Sequence, residues 1–171
     1  EQYREWGKEL GIEVLQMEAF SGEYVSSSAI RKLLLQGNVE KAAKLLGRPY
    51  ELCGNVVDGY KVGRTIGFPT ANLCPEKGKL IPAPGVYAVW VILPNGDRHK
   101  GMLNIGNRPT LDNGDGISIE VHLLHVKGDL YNQPLRLLFG NRVRDEHRFG
   151  SLEELQLQLR QDAVSAELLL G

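Results

Sequence analysis

The chain has 171 residues, enough for one substantial core, with 42% hydrophobic residues and a formal net charge of −1. That balance supplies no broad basic field for nucleic acid or an anionic membrane surface, so any phosphate must be held by a local site. Cys53 and Cys74 stand far apart, outside any CxxC spacing, which argues against a disulfide framework or zinc site and fits a reducing, cytoplasmic compartment. No apolar run is long enough to span a bilayer, and no signal-peptide pattern opens the chain.

Residues 1–47 read as mixed α and β. "EQYREWGKELG" has helical composition and stops at Gly11, and "IEVLQMEAF" has the β-branched and aromatic content of a strand. "VSSSAIRKLLLQGNVEKAAKLLG" predicts a serine-capped helix, a turn at Gly37-Asn38 and a second helix ending at Gly47. Pro49 cannot continue that helix, which places a domain boundary between residues 47 and 48. Beyond it come short strands: "ELCGNVVDG", "GVYAVWVIL", "RHKGMLNI", "ISIEVHLLHV" and "PLRLLFGN". Asn95-Gly96 lies between two of them and signals a hairpin. Strands in succession without intervening helices predict a mostly β fold, an antiparallel barrel or sandwich. The end is helical again, with a Ser151/Glu154 capping box and an apolar stripe of Leu152, Leu155, Leu159, Ala163 and Ala166.

Three stretches carry candidate chemistry. "VVDGYKVGRTIGFPTAN" spaces Gly59, Gly63 and Gly67 four residues apart, as either an anion-cradling loop or a twisted hairpin. After Pro69, an extended chain puts Thr70 and Asn72 on one face. Their oxygens suit Mg²⁺ when phosphates and water complete its shell, but also the turn hydrogen bonds that Thr and Asn make constantly, the reading that these residues taken alone favour. In "ISIEVHLLHV", alternation sets Ile117, Ile119, Val121 and Leu123 on one face and Ser118, Glu120 and His122 on the other. Glu120 there is a general base in a cleft or a solvated strand glutamate. His122 and His125 fall on opposite faces, which is not a metal-ligand pattern. "NRVRDEHRF" is a solvated charged loop or, through its arginines, a phosphate- or ring-binding segment.

In order along the chain, "GNVVDGYKVGRTIGFPTANL", "PAPGVYAV", "GMLNIGNRPT", "IEVHLLHVKGDLY" and "LRLLFGNRVRDEHRFGSLEEL" resemble successive blocks of the riboflavin kinase domain. The resemblance covers residues 48–170. "VSSSAIRKLLLQGNVEKAAKLLGRPY" is similar to the end of the FMN adenylyltransferase module that precedes this domain in bacterial bifunctional FAD synthetases. It implies a six-stranded antiparallel, Greek-key-like barrel with a C-terminal helix over residues 48–171, preceded over 1–47 by the α/β remnant of a nucleotidyltransferase domain. It also implies transfer of the γ-phosphoryl group of MgATP to the ribityl 5′-hydroxyl of riboflavin, giving FMN and ADP. By motif match, Thr70 and Asn72 touch Mg²⁺ and the ATP phosphates, and Gly59, Gly63, Arg64, Gly67 and Pro69 belong to the nucleotide loop. Glu120 is the catalytic base, and Arg144 lies in a C-terminal loop near the flavin. A fuller parent protein would also adenylylate FMN to FAD; this chain, lacking the first half of that module, would not. Two departures leave the pattern usable. Ser28 keeps the hydroxyl of the usual Thr, and Asn132 stands for a Gly at a turn where Asn tolerates left-handed angles.

Overall fold

The computed structural model describes residues 2–15, 17, 25–58, 63, 66–107, 116–126, 130 and 132–171. The N-terminal region opens with α1 (Gln2–Leu10), which ends at Gly11. Residues 12–15 and 17 are not a strand, in contrast to the β reading of "IEVLQMEAF". Among the described residues no neighbouring strand offers them a ladder, and β propensity expresses itself only through such pairing. Helix α2 (Ser27–Leu35) is capped by Ser26, whose Oγ accepts from the Ala29 N–H at 3.1 Å. Helix α3 (Val39–Leu46) is capped by Asn38 and closed by Gly47 in the left-handed region.

Six strands follow: β1 (Glu51–Val57), β2 (Ala71–Pro75), β3 (Gly85–Ile92), β4 (Arg98–Asn107), β5 (Ile117–Leu123) and β6 (Pro134–Arg144). They close a barrel in the order β1-β2-β5-β4-β3-β6, with every pair antiparallel. β3, β4 and β5 form a meander and β6 returns beside β3, which is the Greek-key arrangement. The Asn-Gly turn joins β3 to β4: Leu93 N–H donates to the Asp97 carbonyl at 2.9 Å. Asn132 sits at φ 59°, the left-handed turn expected of it.

Alternation puts Leu73, Leu103, Ile119, Val121, Leu137 and Phe139 inside the barrel, each nearly or fully buried. Leu34, Val39 and Ala42 of the helical hairpin belong to the same cluster and seal one end. A backbone bond from Ala83 N–H to the Leu34 carbonyl, 3.0 Å, fastens the seal. Thus α2 and α3, assigned by sequence to the preceding module, share the core of the barrel. Ile117, expected on the core face, is 43% exposed because it opens β5, at the rim of the barrel.

Helix α4 (Leu152–Leu169) lies across the outer face of β3, β4 and β6. A second, smaller core forms beneath it from Ala88, Met102, Leu124 and Ala166. β3 is therefore covered on both faces, which explains its unbroken apolar run in a sheet where neighbours alternate. Ser151 caps α4 as predicted, while the Glu154 carboxylate accepts from Gly150, one residue outside the cap. Leu152 points to solvent, and Asp162, 1% exposed, joins the buried side of the helix instead.

Candidate active site

The register of the barrel aligns one residue from each strand. Val57 pairs with Asn72, Asn72 with Glu120, Glu120 with Asn104, Asn104 with Val86, and Val86 with Arg144. Directly paired residues share a face. Leu73, Leu103 and Val121, each one position away in its strand, point inward, so Asn72, Asn104 and Glu120 belong to the outer face. The interior core thereby fixes which side the polar residues occupy: a one-residue slip would reverse every one of them.

Over this outer face lies a cleft of about 260 Å³, walled by the barrel, α4 and the segment after β6. Thr70, Asn104, Glu120, His122, Arg144 and Glu146 contribute its polar lining; Phe68, Met102 and Leu159 contribute apolar surface. The Thr70 hydroxyl donates to Glu120 Oε2 at 3.2 Å. His122 Nδ1 lies 2.7 Å from the Pro69 carbonyl, and its ring meets Phe68 edge-on with centroids 5.3 Å apart. Burial pushes the His122 imidazole below its usual value, partly offset by the Pro69 hydrogen bond and reinforced by nearby His125. Gln156 of α4 donates to the Ile66 carbonyl at 3.1 Å, holding the loop before the motif against the helix.

The end of the motif, "ANLCP", forms β2, a strand the sequence reading did not list, and "FPT" leads into it from a tight turn. Gly67 has φ +81°, and a Cβ on Gly63 would overlap the Phe68 carbonyl oxygen. Both glycines thus have a conformational reason to be there, independent of any ligand. Gly63, Thr70, Glu120 and Arg144 line the same cleft. Asn72 is buried beside Glu120 in the ladder, and Pro69 is tied to His122. Gly59 and Arg64 lie outside the described residues.

Arg144 is the last residue of β6 rather than part of a loop. Its guanidinium grips Asp162 on α4 through Nε at 3.0 Å and Nη2 at 2.8 Å, and stands over the Phe149 ring at 5.6 Å. Asp162 answers a charge that sequence alone left unanswered. Asn104 and Asp162 were missed by sequence reasoning, while His122, set on the face of Glu120, and Glu146, within the charged segment, were given no role. For Asn104 and His122 the available signal was strand alternation, which places them on the face of Glu120.

The sequence and the fold match a known family. The riboflavin kinase family profile covers residues 46–170. This chain belongs to the riboflavin kinase family. It is 40% identical over 167 residues to the bifunctional riboflavin kinase/FMN adenylyltransferase of Escherichia coli (strain K12), covering 96% of this chain and 53% of that protein. The chain therefore spans about half the length of such curated relatives. Among solved structures, a Streptococcus pneumoniae protein described as a macrolide-efflux protein superposes with a TM-score of 0.80 at 36% identity, over 91% of this chain and 50% of that one. The efflux description belongs to that protein; among the described residues here, no helix is long and apolar enough to cross a membrane. The riboflavin kinase of Trypanosoma brucei, 22% identical with a TM-score of 0.50 over 71% of this chain and 80% of that one, shares the fold.

Proposed function

We propose that this flavokinase domain transfers the γ-phosphoryl group of MgATP to the ribityl 5′-hydroxyl of riboflavin, releasing FMN and ADP. The hydrogen bond between Thr70 and Glu120, in a cleft where Asn72 is the ladder partner of Glu120, carries the reading. It brings a proton acceptor and two neutral oxygen donors to one place. Glu120 takes the proton of the 5′-hydroxyl as that oxygen attacks phosphorus, and general-base assistance of this kind contributes roughly 10²–10⁴-fold.

The donor set fits Mg²⁺. Thr70 Oγ1 and the Asn72 amide oxygen are hard, neutral ligands, suited to an ion whose remaining shell is phosphate oxygen and water. Because the Thr70 hydroxyl spends its proton on Glu120, its lone pairs are left for a cation. When bound, Mg²⁺ neutralises charge on the β- and γ-phosphates. Phosphoryl transfer asks little covalent chemistry of the protein, and in-line placement on a rigid barrel face meets that requirement. Gly59, Gly63, Arg64, Gly67 and Pro69 are assigned to the nucleotide loop. Arg144, held by Asp162, is assigned to the wall of the flavin side rather than to a phosphate clamp.

We assign the kinase to residues 48–171 and place it in the cytoplasm, where the free thiols Cys53 and Cys74 suit reducing conditions. Adenylylation of FMN is left to the remainder of a longer parent protein. Incubation with riboflavin, ATP and Mg²⁺ should give FMN, and Glu120→Gln should lower turnover at least 10²-fold while sparing nucleotide binding. Normal turnover in that variant would remove Glu120 from the mechanism, and ligand binding without product in the wild type would reduce the barrel to a binding module.

A further inference from the structure

Strand β2 begins at Ala71, and its ladder with β5 consists of Ala71↔Val121 and Asn72↔Glu120. Thr70 therefore stands just outside the ladder, preceded by a proline that has no N–H to give. Two side chains of β5 reach across to hold this approach. Glu120 accepts from Thr70, and His122, two residues on and on the same face, meets the Pro69 carbonyl at 2.7 Å. A carbonyl oxygen only accepts, so Nδ1 carries the proton. The half-buried ring is further located by the Phe68 edge contact.

We propose that His122 is a positioning residue for the cation–nucleotide site: its Nδ1–H, bonded to the Pro69 carbonyl, sets the backbone that presents Thr70 and Asn72. The inference rests on the flavokinase reading of Thr70 and Asn72. His122 acts through Pro69 and touches no reacting atom. Its contribution is to keep Thr70 preorganised where the ladder has not yet begun, beside Asn72 within it, so that ordering the pair of donors is not charged against ligand binding.

Three variants separate this from mere packing. His122→Phe keeps a ring against Phe68 and loses the donor. His122→Asn loses the ring but puts an amide nitrogen at the Nδ1 position. His122→Gln carries its amide one bond farther and cannot restore the geometry. Calorimetric affinity for ADP with Mg²⁺, affinity for riboflavin, steady-state FMN formation and thermal melting are measured on each.

The Phe and Gln variants should bind MgADP about tenfold more weakly, the scale of one lost net hydrogen bond, with riboflavin affinity within about twofold. His122→Asn should recover MgADP affinity to within about threefold of wild type. KM for MgATP should follow the same order. Unchanged MgADP affinity in both His122→Phe and His122→Gln overturns the proposal. So does equal weakening toward MgADP and riboflavin, or an Asn variant as impaired as Gln while both melt normally. If wild type forms no FMN yet binds MgADP, the kinase reading fails while the comparison of variants still decides the role of His122. A wild type that binds no MgADP overturns both.

Discussion

Asp162→Asn tests whether the Arg144 ion pair is what holds α4 on the barrel. Asp162 is 1% exposed and Arg144 retains 21% side-chain exposure, so the pair is largely removed from water. The Asn side chain fits the same space and keeps an acceptor for Gln158, whose Nε2 donates to Asp162 Oδ1 at 2.9 Å. What disappears is the countercharge, together with the two-pronged grip of Nε and Nη2. Orphaning one member of a buried pair costs about 3–5 kcal/mol, and the remaining solvent contact of Arg144 puts this case near 3 kcal/mol. For 171 residues the unfolding entropy is about 0.36 kcal/mol/K, so the midpoint should fall by about 8 °C. Calorimetry or circular dichroism melting reads this directly. The double variant Arg144→Met/Asp162→Leu should recover most of the loss, because an apolar pair leaves no charge stranded. A shift within about 2 °C for Asp162→Asn, or a double variant as unstable as the single changes added together, refutes the reasoning.

Asn72→Ala should raise the Mg²⁺ and MgATP requirement of FMN formation with little change in riboflavin affinity; equal loss of both would make Asn72 a structural residue of β2. Gly54→Ala should cost about 2–3 kcal/mol in melting experiments, since the added Cβ would overlap the Cys74 carbonyl oxygen across β1 and β2, and a neutral substitution would deny that close approach. Glu51 bears on acid stability. Hydrogen bonds from Arg136 and then from Cys53 hold its carboxyl below the ordinary value of 4.5. A lowered folded value contributes stability that is present above about pH 4.5 and lost as pH falls through the folded value. Glu51→Gln should therefore be less stable than wild type at pH 7, with the gap closing below pH 4.5; a constant offset across that range would contradict the assignment.

Much of this was legible because alternation and punctuation are local. Ile119 and Val121 announced the core face of β5, and so placed Glu120 outside before any partner was known. Ser26, Gly47, Asn95-Gly96 and Ser151 marked element ends for reasons confined to a few neighbouring residues. β2 was harder to read as a strand because Gly67 and Pro69 look like turn residues, and one of its two partners, β5, lies distant in sequence. The bonds that shape the cleft also span long separations. His122 meets Pro69 53 residues back, and Gln156 meets Ile66 90 residues back. A lone aspartate on a helix ordinarily reads as solvated, so nothing around Asp162 revealed that β6 would bring Arg144 against it.

The helical hairpin that seals the barrel has a consequence for how such a domain can be moved between proteins. A gene fragment starting at residue 48 would keep all six strands and yet deliver an unstoppered barrel, with core neighbours of Leu34, Val39 and Ala42 turned toward water. Each large aliphatic side chain so uncovered forfeits about 1.5–3 kcal/mol, against a total stability of about 5–15 kcal/mol for a typical domain. Residues 26–47 must therefore travel with the barrel in any transplant, even where their ancestry lies with the module before it.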